Sequence, residues 1–223
     1  MRSSVLLVGA TAFLMLASQA SVSRAVAGDV GNRPVADDVG TCVHGPGDGQ
    51  IAACTALINS GRSSGKELVL AFLVRCIAYK NKGELDRAIA DCSRVLALDS
   101  KNPYAFNSRG NVYVDKGEYD RAIQDFDEAI RLNPRSAAAF NNRGNAYSRK
   151  GEHDRAIQDY DEAIKLDPKF ANAFNSRGTA FYEKGKYDRA IQDYDEAIRL
   201  NPEFAGAIRN RDRAIAKKNG RRT

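Results

Sequence analysis

The stretch YDRAIQDYDEAIRLNP, Tyr187–Pro202, decides how this chain folds. Nearly the same residues occur at 119–134 and again at 153–168. Two residue types recur every 34 positions across these copies, namely Gly110, Gly144 and Gly178, and Pro134, Pro168 and Pro202. A fixed period of this length is typical of a solenoid, in which similar units stack and bury their apolar faces against one another.

The period divides residues 69–204 into four units, and we number positions 1 to 34 within each: 69–102, 103–136, 137–170 and 171–204. Apolar or small residues at positions 4, 8 and 11, and at positions 20, 21, 24, 27 and 28, follow the period of two helices. Glycine at position 15 suits the left-handed end of the first helix, and Asp at position 18 is predicted to N-cap the second. Proline at position 32 then ends it. The first unit is degenerate, because Cys76, Cys92 and Ser100 replace the glycine, aromatic residue and proline at positions 8, 24 and 32.

Over residues 69–204 these features resemble the tetratricopeptide repeat family, through the 34-residue period and the pattern of Gly, Tyr, Ala and Pro. Arginine at position 7, where the family is apolar, is shared with the "NRG" type of repeat found among bacterial members. The resemblance implies an all-α fold, a right-handed α-solenoid of helix-turn-helix units with N- and C-terminal capping helices. It also implies a platform for a protein or peptide partner, whose concave face the first helices line.

Both ends of such a stack need a cap. Residues 205–223 are predicted to form a C-terminal capping helix with a basic tail, and residues 48–60 an N-terminal cap helix. Residues 28–47 are rich in Gly, Asp and Pro and are predicted to form an extended lead into the stack.

The formal charge of +6 is concentrated at the two ends of the chain. Residues 1–27 carry +2 and residues 205–223 carry +6, which leaves −2 for residues 28–204. A nucleic-acid-binding body would carry a basic face, so we do not expect nucleic acid to be a partner of the repeats. Contact of the basic tail with nucleic acid or an anionic membrane is an alternative to a solvated capping face.

Residues 1–27 have the pattern of a signal peptide, because Arg2 precedes the apolar run 5–17 and small residues follow. Cleavage is predicted after Ala20 or Ala27, which would place the protein in the periplasm or outside the cell with no transmembrane segment. An uncleaved interfacial helix is the alternative.

Export would place the four cysteines in an oxidising space, where an even number predicts two disulfides with three possible connectivities. Cys76 and Cys92 jointly replace the glycine and the aromatic residue at positions 8 and 24, which should face each other across the helix pair. We therefore predict a Cys76–Cys92 bridge and a Cys42–Cys54 bridge, with free buried thiols at 76 and 92 as the alternative.

The acidic residues of the repeated stretch are predicted to lie on the solvated side of a helix. Asp127 and Asp195 stand four residues before Arg131 and Arg199, which suits exposed ion pairs. A calcium loop would need glycine in a turn, so no metal site is predicted.

The arginine at position 7 should lie at the rim of the buried stripe, where an unpaired charge is costly. We predict that it pairs with the Asp at position 23 of its own unit, as Arg75–Asp91, Arg109–Asp125, Arg143–Asp159 and Arg177–Asp193. Pairing between units, with Arg211 against Asp193, is the alternative.

The predicted partner-binding residues are those whose helical phase points them away from the buried stripe of the first helix. They are Tyr104, Asn107, Asn111, Asn141, Asn142, Asn145, Asn172, Asn175, Thr179 and Tyr182. Family members that clamp acidic peptide tails use basic residues where this chain has Asn107, Asn172 and Ser176, so no such clamp is expected. Asparagine amides match the backbone of an extended peptide instead.

The sequence contains no nucleophile–base pair, phosphate loop or metal cluster. We therefore expect neither an enzyme, nor a cofactor, nor a small-molecule substrate. The leading prediction is an exported, non-catalytic scaffold, and the alternative is an accessory or regulatory subunit of an envelope enzyme or assembly machine.

Overall fold

A computed structural model of the chain describes residues 35–45, 47–63 and 65–220. Within these ranges there are helices and no strands. The helices are α1 (Val35–His44), α2 (Gly47–Asn59), α3 (Gly65–Lys82), α4 (Leu85–Leu98), α5 (Pro103–Lys116), α6 (Tyr119–Leu132), α7 (Ala137–Arg149), α8 (His153–Leu166), α9 (Ala171–Glu183), α10 (Tyr187–Leu200) and α11 (Ala205–Gly220). The predicted signal peptide lies outside the described residues. None of the helices described is both long and apolar enough to cross a membrane.

The helices form an all-α solenoid. Each helix packs against the next one in sequence, and the first helices of successive units also contact each other. Helices α3 to α10 supply four hairpins at the positions of the predicted units, and α11 packs on the last hairpin. Helix α2 occupies the place of the predicted N-terminal cap helix.

Glycine at position 15 ends the first helix of each unit, as its sequence position predicts. Its backbone φ is +80° at Gly83, +78° at Gly117, +81° at Gly151 and +69° at Gly185. Side chains with a Cβ adopt this left-handed conformation at a cost, so glycine is the residue that turns the chain into the second helix.

The aspartate at position 18 does not cap the second helix, contrary to the prediction. The N-cap residues of α6, α8 and α10 are those at position 16, and none makes a side-chain capping bond. The aspartate lies in the first turn, where its charge is favourable, and binds the lysine at position 14 of the next unit. These contacts are Lys116–Asp86 at 2.6 Å, Lys150–Asp120 at 2.7 Å, Lys184–Asp154 and Lys218–Asp188.

Glycine at position 8 lets the two helices of a hairpin approach closely. A Cβ on Gly144 would lie 2.7 Å from the Tyr160 ring, and one on Gly178 would lie 2.8 Å from the Tyr194 ring. The buried stripe also includes small residues that the sequence analysis did not assign, at positions 3 and 10: Ala105, Ala139, Ala173, Val112, Ala146 and Ala180. A first helix packs on neighbouring units as well as on its own partner, so two of its faces are buried.

Two disulfides close the N-terminal end. Cys76 and Cys92 join α3 to α4 with their Cα atoms 5.5 Å apart, and Cys42 and Cys54 join α1 to α2 with theirs 4.6 Å apart. All four cysteines are fully buried. The structure thus contains both bridges that the sequence analysis predicted.

The extended lead predicted for residues 28–47 was wrong over α1, which is helical from Val35 to His44. Val39 and Cys42 stand three residues apart and pack together against Cys54, Leu57 and Ala71. This spacing gives α1 an apolar face, and the bridge to α2 holds that face against the cap.

Candidate functional site

The arginine at position 7 binds the aspartate at position 23 of its own unit through two parallel hydrogen bonds. The Nε and Nη2 atoms lie 2.7 and 2.8 Å from the carboxylate in Arg75–Asp91, 2.8 and 2.8 Å in Arg109–Asp125, 2.9 and 2.6 Å in Arg143–Asp159, and 2.9 and 2.7 Å in Arg177–Asp193. All four aspartates are buried. The structure therefore contains the four pairs within units, and the alternative, in which position 7 meets position 23 of the preceding unit, does not hold.

The third nitrogen of each of these arginines joins neighbouring units. Nη1 donates to the residue at position 25 of the preceding unit, or to its equivalent in α2: Arg75 to Thr55 at 2.9 Å, Arg109 to Ser93 at 3.1 Å, Arg143 to Asp127 at 2.6 Å and Arg177 to Asp161 at 2.6 Å. Each guanidinium also lies 5.5 to 5.8 Å from the centre of the phenylalanine ring at position 4, and that phenylalanine is half-buried. Each of these arginines therefore links its own hairpin to the helix that precedes it in the stack.

The exposed pairs predicted for Asp127 and Asp195 were therefore wrong. Arg131 and Arg199 bind Glu128 and Glu196, three residues before them, at 2.8 and 2.6 Å. Asp127 forms an ion pair with Arg143 of the next unit, and Asp195 lies 3.4 Å from Arg211 in α11. No group of three His, Cys, Asp or Glu side chains in the described part of the chain could hold a metal ion.

A groove of about 720 Å³ runs along the first helices of the second, third and fourth units. Five of the predicted partner-binding residues line it, namely Asn111, Asn142, Asn145, Asn175 and Thr179. Charged residues at positions 12 and 13 that the sequence analysis missed line it too: Lys80, Asp115, Arg149 and Glu183. Position 13 lies one turn beyond position 9 on the same helical face, so the sequence contained the signal.

Two of the predicted amides at position 5 contact the following unit. Asn142 donates from Nδ2 to Asn107 Oδ1 at 3.0 Å, and Asn210 in α11 donates to Asn175 Oδ1 at 3.0 Å. Each bond links position 6 of one unit to position 5 of the unit before it. Asn107 and Asn175 therefore contribute to the packing between units, and Asn175 also lines the groove.

Asn141 does not face the groove, contrary to the prediction. It is only 6% exposed, and its Oδ1 has no hydrogen-bond partner among the described residues. Position 6 of the fourth unit, which should bind Asn141 as Asn142 binds Asn107, is Ser176, and its side chain is shorter than that of asparagine. The missing amide explains why the oxygen has no donor.

Replacing Ser176 by Asn should stabilise the protein by about 1 kcal/mol, because it would supply the donor that the buried Asn141 oxygen lacks. The free energy of unfolding, measured by urea denaturation, tests this. Asn142→Ser is the matched control and should destabilise by a similar amount, since it removes the same bond at the previous junction. A Ser176→Asn protein that is less stable than the parent would contradict the assignment.

Asn111 and Asn145 present amides to the groove. Asn111 makes no hydrogen bond with other described residues, and Asn145 uses only its Oδ1, which accepts from the Tyr160 hydroxyl at 2.8 Å. Burial raises the pKa of Tyr160, so this hydroxyl stays protonated and acts as a donor. Asn111 therefore offers a complete amide to a ligand, and Asn145 offers its amide nitrogen.

Three exposed positions on the first helices of the first two units are apolar. Leu70, Ile77 and Tyr104 occupy positions 2, 9 and 2, and they are 38%, 42% and 66% exposed. Asn172 is the exposed equivalent of Tyr104 in the fourth unit. The face thus changes from apolar at its N-terminal end to amide-rich beyond it.

The charges of the groove are partly paired. Lys80 lies 3.2 Å from Asp115, whereas Arg149 and Glu183 are exposed and form no ion pair with the described residues. Tyr182, predicted for the partner site, packs 5.3 Å from the Tyr187 ring and carries the Arg213 guanidinium at 4.4 Å. Tyr182 therefore helps to seat α11.

The basic residues of α11 are largely engaged in capping. Arg211 lies 3.4 Å from Asp195, Arg213 stacks on Tyr182, and Lys218 binds Asp188. Such contacts are those expected of a helix that closes the stack. They leave Arg209 and Lys217 as the exposed cations of the helix without a described partner.

The tetratricopeptide repeat family matches the sequence over residues 107–171, 143–203 and 175–211. No curated protein matches it. Among solved structures, the chain is similar to part of the APC/C hetero-tetramer Cut9-Hcn1, with a TM-score of 0.69, 23% identity and 79% of this chain covered. The match spans 34% of that protein's chain, about a third of its length.

Two further structures are similar at slightly higher identity. The crystal structure of MamA has a TM-score of 0.61 and 28% identity, and the match covers 74% of this chain and 95% of that one. The first TPR domain of Spaghetti (RPAP3), bound to the HSP90 peptide SRMEEVD, has a TM-score of 0.51 and 26% identity, with coverage of 53% and 94%.

Proposed function

Since this chain is an all-α solenoid of tetratricopeptide repeats, a fold typical of protein interaction scaffolds, we propose that it is a non-catalytic scaffold for an extended peptide segment of a partner protein. The observation that carries the proposal is the 720 Å³ groove, which three successive first helices line with amides and hydroxyls. Such groups bind peptide backbone, which presents donors and acceptors in alternation.

The spacing of the first helices suits an extended chain. Packed helices lie about 9 Å apart, and an extended peptide advances about 3.3 Å per residue. Equivalent side chains of successive units would therefore meet every third peptide residue. Asn111 and Asn145 stand at the same position of adjacent units, and both have amide nitrogens free to donate to peptide carbonyls.

The apolar end of the face indicates what side chains the peptide carries. Leu70, Ile77 and Tyr104 expose enough apolar surface to bury one or two large side chains, with a gain of about 25 cal/mol for each Å² removed from water. We therefore propose a peptide whose apolar residues contact Leu70, Ile77 and Tyr104 and whose polar segment lies along the groove from Asn111 onward. The similar RPAP3 domain binds a peptide that ends in acidic residues. Family members that clamp such tails have basic residues where this chain has Asn107, Asn172 and Ser176, so we propose a different peptide for this chain.

We further propose that the scaffold works outside the cytoplasm. Two buried disulfides support this, because structural disulfides persist in oxidising compartments and are rare in reducing ones. The signal-peptide pattern of residues 1–27 is independent support.

Selection from a randomised peptide library on the immobilised protein tests the proposal. We expect enriched peptides with apolar residues at one end, whose affinity falls about tenfold in an Asn111→Ala, Arg149→Ala variant, because two polar contacts are lost. Neither side chain makes a hydrogen bond or ion pair with the described residues, so the fold should be unaffected.

The matched control replaces two exposed glutamines of the second helices, as Gln124→Ala with Gln158→Ala. This variant should bind the selected peptides as the parent does. Failure to enrich any peptide, or equal loss in both variants, would overturn the proposal.

A further inference from the structure

An arginine–glutamate contact recurs at the start of the second helix in the first three units. Arginine at position 19 donates to the glutamate at position 16: Arg87 to Glu84 at 2.5 Å, Arg121 to Glu118 at 2.5 Å and Arg155 to Glu152 at 2.8 Å. In the second and third units the same arginine also donates to the tyrosine hydroxyl at position 11, at 2.6 and 2.7 Å. Each of these guanidiniums therefore has a carboxylate within its own unit.

The fourth unit lacks both partners. Lys186 stands at position 16 and Phe181 at position 11, so Arg189 has no hydrogen bond or ion pair with any residue that the structure describes. Its guanidinium carbon lies 5.4 Å from the Phe181 ring centre, whereas Arg121 and Arg155 lie 4.1 and 4.0 Å from their tyrosine rings. Arg189 is less closely held than its equivalents.

A cavity of about 410 Å³ opens where these partners are missing. Arg189, Lys186, Phe181 and Gln192 form part of its wall. The Phe181 ring offers an apolar surface, and Gln192 adds a side-chain amide beside the two cations. The wall therefore has the groups that a carboxylate on a short alkyl chain requires.

The carboxylates in the wall are already paired with other cations. Asp161 and Asp193 share Arg177, and Asp154 binds Lys184. With Arg189 and Lys186 the cluster has four cations and three carboxylates, a net charge of +1. The equivalent positions of the third unit have three cations and four carboxylates, a net charge of −1. The change of sign favours an incoming anion.

We propose that this cavity binds a carboxylate from an acidic side chain of a partner protein, held between Arg189 and Lys186. The carboxylate takes the place that the chain's own Glu118 and Glu152 occupy in the preceding units. The cavity shares no lining residue with the groove of the first helices, so the site does not depend on that groove. It would give a partner a second, charged point of attachment.

The probe is a blocked tetrapeptide, N-acetyl-Ala-Glu-Glu-Ala-amide, titrated into the oxidised protein labelled with ¹⁵N-arginine. The Nε–Hε resonance of Arg189 should shift saturably, several times further than those of Arg121 and Arg155, whose guanidiniums are already occupied. The matched peptide with glutamines in place of glutamates should leave Arg189 unmoved. Sodium glutarate tests a free dicarboxylate, and it should bind more weakly than the peptide.

The matched variant is Lys186→Glu, which gives the fourth unit the residue of the third. It should restore an internal pair with Arg189 and weaken the glutamate peptide at least about tenfold, since the added charge also repels it. The melting temperature of this variant should be no lower than that of the parent, which would show that weaker binding does not come from a less stable fold. The proposal is overturned if the resonances of Arg121, Arg155 and Arg189 shift by similar amounts, or if that of Arg189 shifts linearly with peptide concentration. It is also overturned if glutarate binds more tightly than the peptide, or if Lys186→Glu binds the peptide as tightly as the parent does.

Discussion

Replacing Cys76 and Cys92 together by alanine should lower the free energy of unfolding by about 3 kcal/mol, as expected for a bridge that closes a short loop. The bridge spans 16 residues and is fully buried, and it joins the two helices of the first unit at positions 8 and 24. The other units fill these positions with glycine and an aromatic ring. The alanine variant therefore loses the crosslink and gains a void. Urea denaturation of the oxidised proteins, with the Cys42–Cys54 bridge intact in both, measures the difference.

The repeat itself supplies the control for this experiment. The variant Cys76→Gly with Cys92→Tyr gives the first unit the pair found in the third, Gly144 with Tyr160, whose ring fits closely against the glycine. It should recover part of the lost stability, because the ring fills the space while the crosslink stays absent. Equal stability of the alanine variant and the parent would show that the bridge contributes nothing to the fold.

Replacing Arg109 by methionine should cost about 3 kcal/mol, because it leaves the buried Asp125 without its only cation among the described residues. Arg109 donates twice to Asp125 and once to Ser93, so its loss also removes a hydrogen bond between the second unit and the first. Truncating one member of a buried pair is costly because the other charge remains desolvated. The measurement is the free energy of unfolding at neutral pH.

Two further variants decide what the loss of Arg109 means. Arg109→Met with Asp125→Leu removes both charges and should recover most of the stability, because no buried charge is then unpaired. Arg131→Met removes an exposed arginine that pairs with Glu128, and it should change the stability by less than about 1 kcal/mol. If Arg109→Met lowers the free energy of unfolding no more than Arg131→Met does, the arginines at position 7 do not stabilise the stack.

Part of the groove lining could be predicted from the helical phase of the first helices. Position 9 was correctly placed on the open face, where Asn111, Asn145 and Thr179 line the groove. Position 5 was misjudged at Asn141, which is buried, whereas Asn107 and Asn175 bind the next unit and Asn175 also lines the groove. Phase along one helix cannot show this, because the rotation of a unit relative to its neighbour determines which flank of the helix is covered.

The sequence by itself determined the period, the two helices of each unit, the glycine turns and the pairing of residues within a hairpin. These follow from contacts between residues at fixed separations, such as positions 7 and 23 or positions 8 and 24, which a short hairpin brings together whatever lies around it. The tertiary structure alone decided the contacts between units. Asp127 binds Arg143 of the next unit instead of Arg131. The aspartate at position 18 forms an ion pair with the next unit instead of an N-cap. Helix α1 packs its apolar face against α2 and α3. The physical reason is that these contacts depend on the angle at which one unit stacks on the next, which the packing of all the side chains sets jointly.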